Sequence, residues 1–228
     1  MTLQRPGVFA CQLALDLPHA ESFRRDDFLA SPANEAALSL VERWPEWPGR
    51  MAAIVGPRGA GKSHLATIWA ERTGARIVAT AALARDEVPA ALATGALVVE
   101  DVAPGVADEA ALFHLFNLAR EDSAWLLFTA SQRLDSPGFA LPDLVSRLRA
   151  VPSVTLAPPD DALLSAVLVK LFADRQLAVG EGVIAYLLPR MERSLAAARE
   201  TVGRLDAAAL SRGRAVNRQL AAEIFREE

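Results

Sequence analysis

The residues best suited to chemistry lie in one short run, Gly56-Pro57-Arg58-Gly59-Ala60-Gly61-Lys62-Ser63. The run satisfies G-x-x-x-x-G-K-[ST], a phosphate-binding loop pattern. Its glycines let the backbone turn sharply and approach a ligand, with N–H groups aimed at phosphate oxygens. A helix starting at Lys62 adds the positive end of its dipole at the same place. Lys62 supplies charge for the β- and γ-phosphates, and Ser63 supplies a hydroxyl for Mg²⁺. Of the 24 basic residues 22 are arginine, and only Lys62 and Lys170 are lysine. One of these two rare lysines stands where the pattern demands one, which argues against a chance glycine-rich turn.

A second run, Ala96-Leu97-Val98-Val99-Glu100-Asp101, is an apolar stretch ending in two acids. Carboxylates at such a strand end hold Mg²⁺ and orient an attacking water, the Walker B pattern. Neighbouring strand residues face opposite sides, so Glu100 and Asp101 have different surroundings. The spacing leaves open which of them meets the metal. Thr129 to Gln132 follow a fourth apolar stretch and place polar groups near the same edge.

Arg147 and Arg149 close a helical stretch. A basic last turn that complements the helix dipole explains them. So does an arginine offered to a neighbouring subunit's nucleotide, where it stabilises transition-state charge. Arg193 is read as opening a later helix. That position is unfavourable for a cation, which suggests a second task such as closing over phosphate.

These groups need a frame. Five stretches read as strands: Met51–Val55, Arg76–Ala79, Ala96–Glu100, Trp125–Thr129 and Ser153–Leu156. Helical stretches separate them, at Lys62–Arg72, Val88–Ala93, Asp108–Glu121 and Leu141–Arg149, and an earlier helix runs from Asn34 to Trp44. This alternation predicts an α/β fold with a five-stranded parallel sheet and helices on both faces. After Pro158-Pro159 only helical stretches follow, at Asp160–Arg175, Gly182–Leu188, Arg193–Ser211 and Asn217–Arg226. The expected organisation is a tail over 1–22, a nucleotide-binding α/β domain over 23–157 and a small helical lid over 158–228.

Composition sets the bounds. The 228 residues are 52% hydrophobic and 23% charged, which excludes a largely disordered chain. The net charge of −4 predicts weak or absent direct DNA binding. Cys11 is the one cysteine, so no internal disulfide forms, and a reducing cytoplasm is expected. No apolar run approaches the ~18 residues of a membrane span.

Taken together, these pieces resemble the DnaA/Hda family of AAA+ ATPases. Arg25-Asp26-Asp27-Phe28-Leu29, with Ser31 and Asn34-Glu35-Ala36-Ala37, is similar to the segment that packs near adenine in that family. The phosphate loop continues through His64 and Leu65 as it does there. Leu144-Val145-Ser146-Arg147-Leu148 resembles the family's arginine-finger segment, which implies that Arg147 acts in trans. Leu156-Ala157-Pro158-Pro159-Asp160 is similar to the entry into the lid. Arg193-Ser194-Leu195 resembles sensor 2, which implies that Arg193 meets the phosphates. In the tail, Gln12-Leu13-Ala14-Leu15-Asp16-Leu17-Pro18 resembles a sliding-clamp docking peptide. Gln12, Leu13, Leu15 and Leu17 would then touch the clamp, an extended peptide presenting alternate side chains to one groove.

The resemblance implies ADP or ATP with Mg²⁺, and partners in the polymerase sliding clamp, the initiator DnaA and a second copy of the chain. It implies a regulator that promotes ATP hydrolysis by DnaA. The stretch that resembles the lid runs to Glu228 with no helix-turn-helix reading after it, which points to the shorter branch of the family. Two departures point to weak intrinsic hydrolysis: Glu100-Asp101 replaces the usual pair of aspartates, and Gln132 stands where an acid is usual. A DnaC-like helicase loader or DNA-remodelling ATPase is the alternative. A P-loop small-molecule kinase fits less well, because the helical part follows the sheet and is not inserted in it.

Overall fold

The structure is a computed structural model and describes residues 23–106 and 108–226. Five strands form one parallel sheet: β1 (Met51–Val55), β2 (Arg76–Ala79), β3 (Ala96–Glu100), β4 (Trp125–Ala130) and β5 (Ser153–Thr155). Their spatial order is β2-β3-β4-β1-β5. The crossovers carry α2 (Lys62–Thr73), α3 (Val88–Ala91), α4 (Glu109–Glu121) and α5 (Pro142–Ala150), and α1 (Glu35–Glu42) precedes β1. This is the fold class read from the sequence.

The strands are apolar runs because both faces are covered. Alternate residues divide between two cores. Ala52, Ile54, Val98 and Leu127 pack under α1 and α2 with Leu38, Leu65 and Trp69. Ala53, Leu97, Val99 and Phe128 pack on the other face with Leu112, Leu115, Leu144 and Leu148. Each of the larger side chains among them contributes about 1.5–3 kcal/mol through burial.

After Pro159 come α6 (Asp161–Asp174), α7 (Glu181–Leu187), α8 (Leu195–Arg212) and α9 (Arg218–Ile224). Local capping sets three of the starts. The side chains of Asp160, Ser194 and Asn217 accept from the amides of Leu163, Ala197 and Leu220. These four helices enclose their own apolar cluster, including Leu164, Leu168, Phe172, Val202, Leu205 and Leu220. The helical layer meets the α/β layer at the phosphate loop, where the Leu195 amide donates to the Gly59 carbonyl, and before α1, where Lys170 pairs with Asp27.

Candidate nucleotide site

The phosphate loop leaves the C-terminal end of β1 and is fixed on both sides. The Gly56 amide donates to the Ala130 carbonyl at 3.0 Å, and the Leu156 amide donates to the Val55 carbonyl at 2.7 Å. A Cβ on Gly56 would lie 2.5 Å from the Leu156 carbonyl oxygen, so only glycine fits there. Gly59 and Gly61 have φ of +71° and +108°, which other residues adopt only under strain. Pro57 and Arg58 are exposed, Ala60 is buried, and Ser63 is exposed on the first turn of α2.

Among the described residues, the amides of Gly59, Gly61, Lys62 and Ser63 have no hydrogen-bond acceptor. Free N–H groups at a loop and helix start form a cradle for an anion. Lys62 is 6% exposed, and its Nζ donates back to the carbonyls of Gly56 at 2.8 Å and Pro57 at 3.0 Å. Burial pushes its ammonium below the usual lysine value, against the opposing charges of Asp101 and Glu100. A buried cation resting on two carbonyls is poised for an incoming phosphate.

The two acids part company at the end of β3. Glu100 is half-buried, and its Oε1 is sealed from solvent without a hydrogen-bond partner. Asp101 leaves the sheet at φ 56° and is exposed. It lines a cavity of about 300 Å³ with Arg58 of the loop and Ser131. The Asp101 amide donates to Thr129 Oγ1 at 3.1 Å, and Thr80 Oγ1 donates to the Glu100 carbonyl at 2.6 Å. Thr129 sits inside β4, one residue before its end, because the strand runs on to Ala130. Its hydroxyl therefore holds the acidic turn, and of the Thr129–Gln132 stretch it is Ser131 that lines the cavity. The orphaned Glu100 oxygen, the open Ser63 and the free amides fit a Mg²⁺–nucleotide phosphate group.

Two site residues lie elsewhere than the sequence suggested. Arg193 does not open a helix: Ser194 is the cap and α8 begins at Leu195. Arg193 stands just outside, and its guanidinium pairs with Asp161 at 3.0 Å. The segment it belongs to does reach the loop, since Ser194 Cβ lies 2.7 Å from where a Gly59 Cβ would be. His64 points away from the loop. Its Nε2 meets the Arg24 carbonyl at 3.1 Å, and its ring stands edge-on to Phe23 and Phe28, each at 5.2 Å. Burial holds its pKa below the ordinary value.

His64 borders a cavity of about 60 Å³ between the α/β and helical layers, lined also by Asp27, Phe28, Asn34, Lys170 and Arg199. Lys170 Nζ bridges Asp27 at 2.7 Å and Asp174 at 2.8 Å. Burial lowers its pKa, but the hydrogen bonds to Asp174 and Asp27 outweigh that and raise it. No chemical role for Lys170 follows from the sequence, although its being one of two lysines marks it.

Arg147 is remote from this chain's own loop. Its guanidinium stacks on Phe113 at 4.5 Å. It lines a groove with Pro48, Met51 and Pro152, at the N-terminal ends of β1 and β5. The phosphate loop follows the opposite end of β1. Gln12, Leu13, Leu15 and Leu17 lie outside the described residues. Among the described residues, no helix is long and apolar enough to cross a membrane.

No family model matches the sequence, and no curated protein matches it. Solved structures do. Domain III of the replication initiation protein DnaA from Thermotoga maritima superposes with a TM-score of 0.75 at 19% identity, over 90% of this chain and 96% of that one. DnaA from Aquifex aeolicus bound to AMPPCP gives 0.60 at 18% identity, over 79% of this chain and 63% of that one. The Thermotoga maritima RuvB Holliday junction branch migration motor gives 0.69 at 15% identity, over 90% and 72%. The chain thus spans nearly all of the isolated initiator domain and under two thirds of the longer initiator structure. These likenesses show the fold alone: the chain has the AAA+ fold.

Proposed function

We propose that this chain is a AAA+ nucleotide-binding regulator of replication initiation, which docks on the sliding clamp and promotes ATP hydrolysis by DnaA. One observation carries the nucleotide part. The free amides of Gly59, Gly61, Lys62 and Ser63 surround a buried Lys62 that has only carbonyls for partners. Bound ATP or ADP with Mg²⁺ supplies the phosphate charge that this cradle lacks. Lys62 and the loop amides bind that charge, Ser63 and Glu100 hold the cation, and Asp101 orients solvent at the cavity edge.

The position of Arg147 supports action in trans. It lies at the strand ends opposite the loop, away from its own phosphate cradle, as an arginine that acts on another protein's nucleotide would. The Gln12–Pro18 run supports the clamp as tether, on its sequence alone. The test is binding to purified sliding clamp by the intact chain and by Gln12→Ala/Leu15→Ala. Binding that the double variant loses supports the reading, and an intact chain that ignores the clamp removes the partner. The likeness to RuvB, a Holliday junction branch migration motor, favours a second reading as a DNA-remodelling ATPase. Under that reading hydrolysis is intrinsic and depends on Glu100.

A further inference from the structure

The phosphate loop holds two cations, Arg58 and Lys62, and their surroundings differ. Lys62 is buried and rests on the carbonyls of Gly56 and Pro57. Arg58 is exposed and lines the cavity of about 300 Å³ that Asp101 and Ser131 also line. Asp101 and Ser131 directly follow β3 and β4. The loop is tied to that edge of the sheet, since the Gly56 amide donates to the Ala130 carbonyl at 3.0 Å. Among the described residues, neither the Arg58 guanidinium nor the Asp101 carboxylate has a hydrogen-bond or ion-pair partner. Opposite charges that share a cavity without meeting leave room for a group that carries both signs, and a phosphate with its cation is such a group. The charge of Arg58 also works against that of Lys62. A bound phosphate relieves that repulsion.

We propose that Arg58 meets the terminal phosphate of ATP and thereby sets how far the chain distinguishes ATP from ADP. The inference rests on the proposed nucleotide site and adds a specificity-determining residue to it. In phosphoryl transfer the attacking water, and the residue that orients it, lie on the side of the terminal phosphate, beyond the two phosphates that ADP also carries. In the proposed site Asp101 orients that solvent, and Arg58 shares its cavity. The free amides follow Arg58 toward the start of α2, and they serve a phosphate that both nucleotides have. Arginine suits the added phosphate, because its planar fork donates two parallel hydrogen bonds to phosphate oxygens. The loop pattern leaves this position open to any residue, so the cation there is a feature of this chain.

The test is calorimetric titration of the full chain with ADP and with AMPPCP, each in the presence of Mg²⁺. Arg58→Ala should weaken AMPPCP binding by about tenfold or more, as loss of a charge-assisted bond does, and leave ADP binding as in the parent. Arg58→Lys should recover part of the AMPPCP affinity, since the charge stays and the fork goes. Arg43→Ala, an exposed arginine after α1, should change neither nucleotide. An unchanged ratio of the two affinities in Arg58→Ala overturns the proposal, whether both nucleotides are kept or both are weakened alike. A gain in AMPPCP affinity overturns it too, because Arg58 would then exclude the third phosphate. Binding of neither nucleotide by the parent chain removes the nucleotide reading and this inference with it. A parent that binds both, with a variant that keeps their ratio, removes this inference alone.

Discussion

The amide of Leu195 donates to the carbonyl of Gly59 at 2.8 Å, joining the first residue of α8 to the middle of the phosphate loop. The helical layer and the phosphate cradle therefore share one backbone hydrogen bond, and any change at the loop is felt at the start of α8. Gly59→Ala tests this. The new Cβ would sit 2.7 Å from Ser194 Cβ at a backbone φ of +71°. The expected result is a loss of about 1–3 kcal/mol in denaturant stability, together with weaker ADP binding. Unchanged stability would show that the two layers do not press on each other there.

Lys62 trades stability for function. Its pKa is lowered by burial, so the folded state carries the charge at a cost, one that shrinks as pH rises toward the unfolded value of 10.5. Lys62→Met should raise the melting temperature of the nucleotide-free chain. The same variant should lose ADP affinity on the order of a hundredfold, since charge-assisted bonds of this kind are worth about 1.5–3 kcal/mol. Calorimetric titration with ADP reads the second effect, and unchanged affinity would reject the site.

Lys170 ties the helical layer to the segment before α1 through Asp27 at 2.7 Å, with the two side chains 27% and 25% exposed. A double-mutant cycle with Lys170→Ala and Asp27→Ala should give a coupling energy on the order of 1 kcal/mol in urea unfolding. A coupling near zero would mean that the apolar contacts alone hold the layers together.

His64 makes stability depend on pH. Burial depresses its pKa below the ordinary 6.5, so the neutral ring belongs to the folded state. Above pH 6.5 the folded and unfolded states are both neutral at this group. As pH falls from there toward the folded value, the unfolded chain takes up the proton first and stability drops. His64→Phe keeps an aromatic ring against Phe23 and Phe28 and should flatten this part of the melting curve against pH. A variant with the same slope as the parent would place the dependence elsewhere.

The strands were legible because each is an apolar run between turn residues. β1, β2 and β3 fall where the sequence reading put them, β4 is one residue longer and β5 one shorter. The loop was legible because Gly56–Ser63 fits its pattern in full. Arg193 was misplaced by one turn signal. Ser194 followed by Leu195-Ala196-Ala197 is a cap sequence, and the Ser194 side chain does accept from the Ala197 amide. The orientation of His64 and the bridge from Lys170 to Asp27 were not legible, since both depend on tertiary contacts between segments far apart in sequence. Glu100 and Asp101 do have separate surroundings, but because the chain turns off the strand at Asp101 (φ 56°) and not by alternation within it, and the orphaned oxygen of Glu100 needed the packed structure.

The most direct test of the proposed function is ATP hydrolysis by purified DnaA, measured with this chain and with sliding clamp loaded on DNA. The parent chain should accelerate hydrolysis. Arg147→Ala should bind ADP and clamp as the parent does and give no acceleration, because the Arg147 guanidinium lies away from its own loop. No acceleration by the parent chain, or full acceleration by Arg147→Ala, would contradict the account.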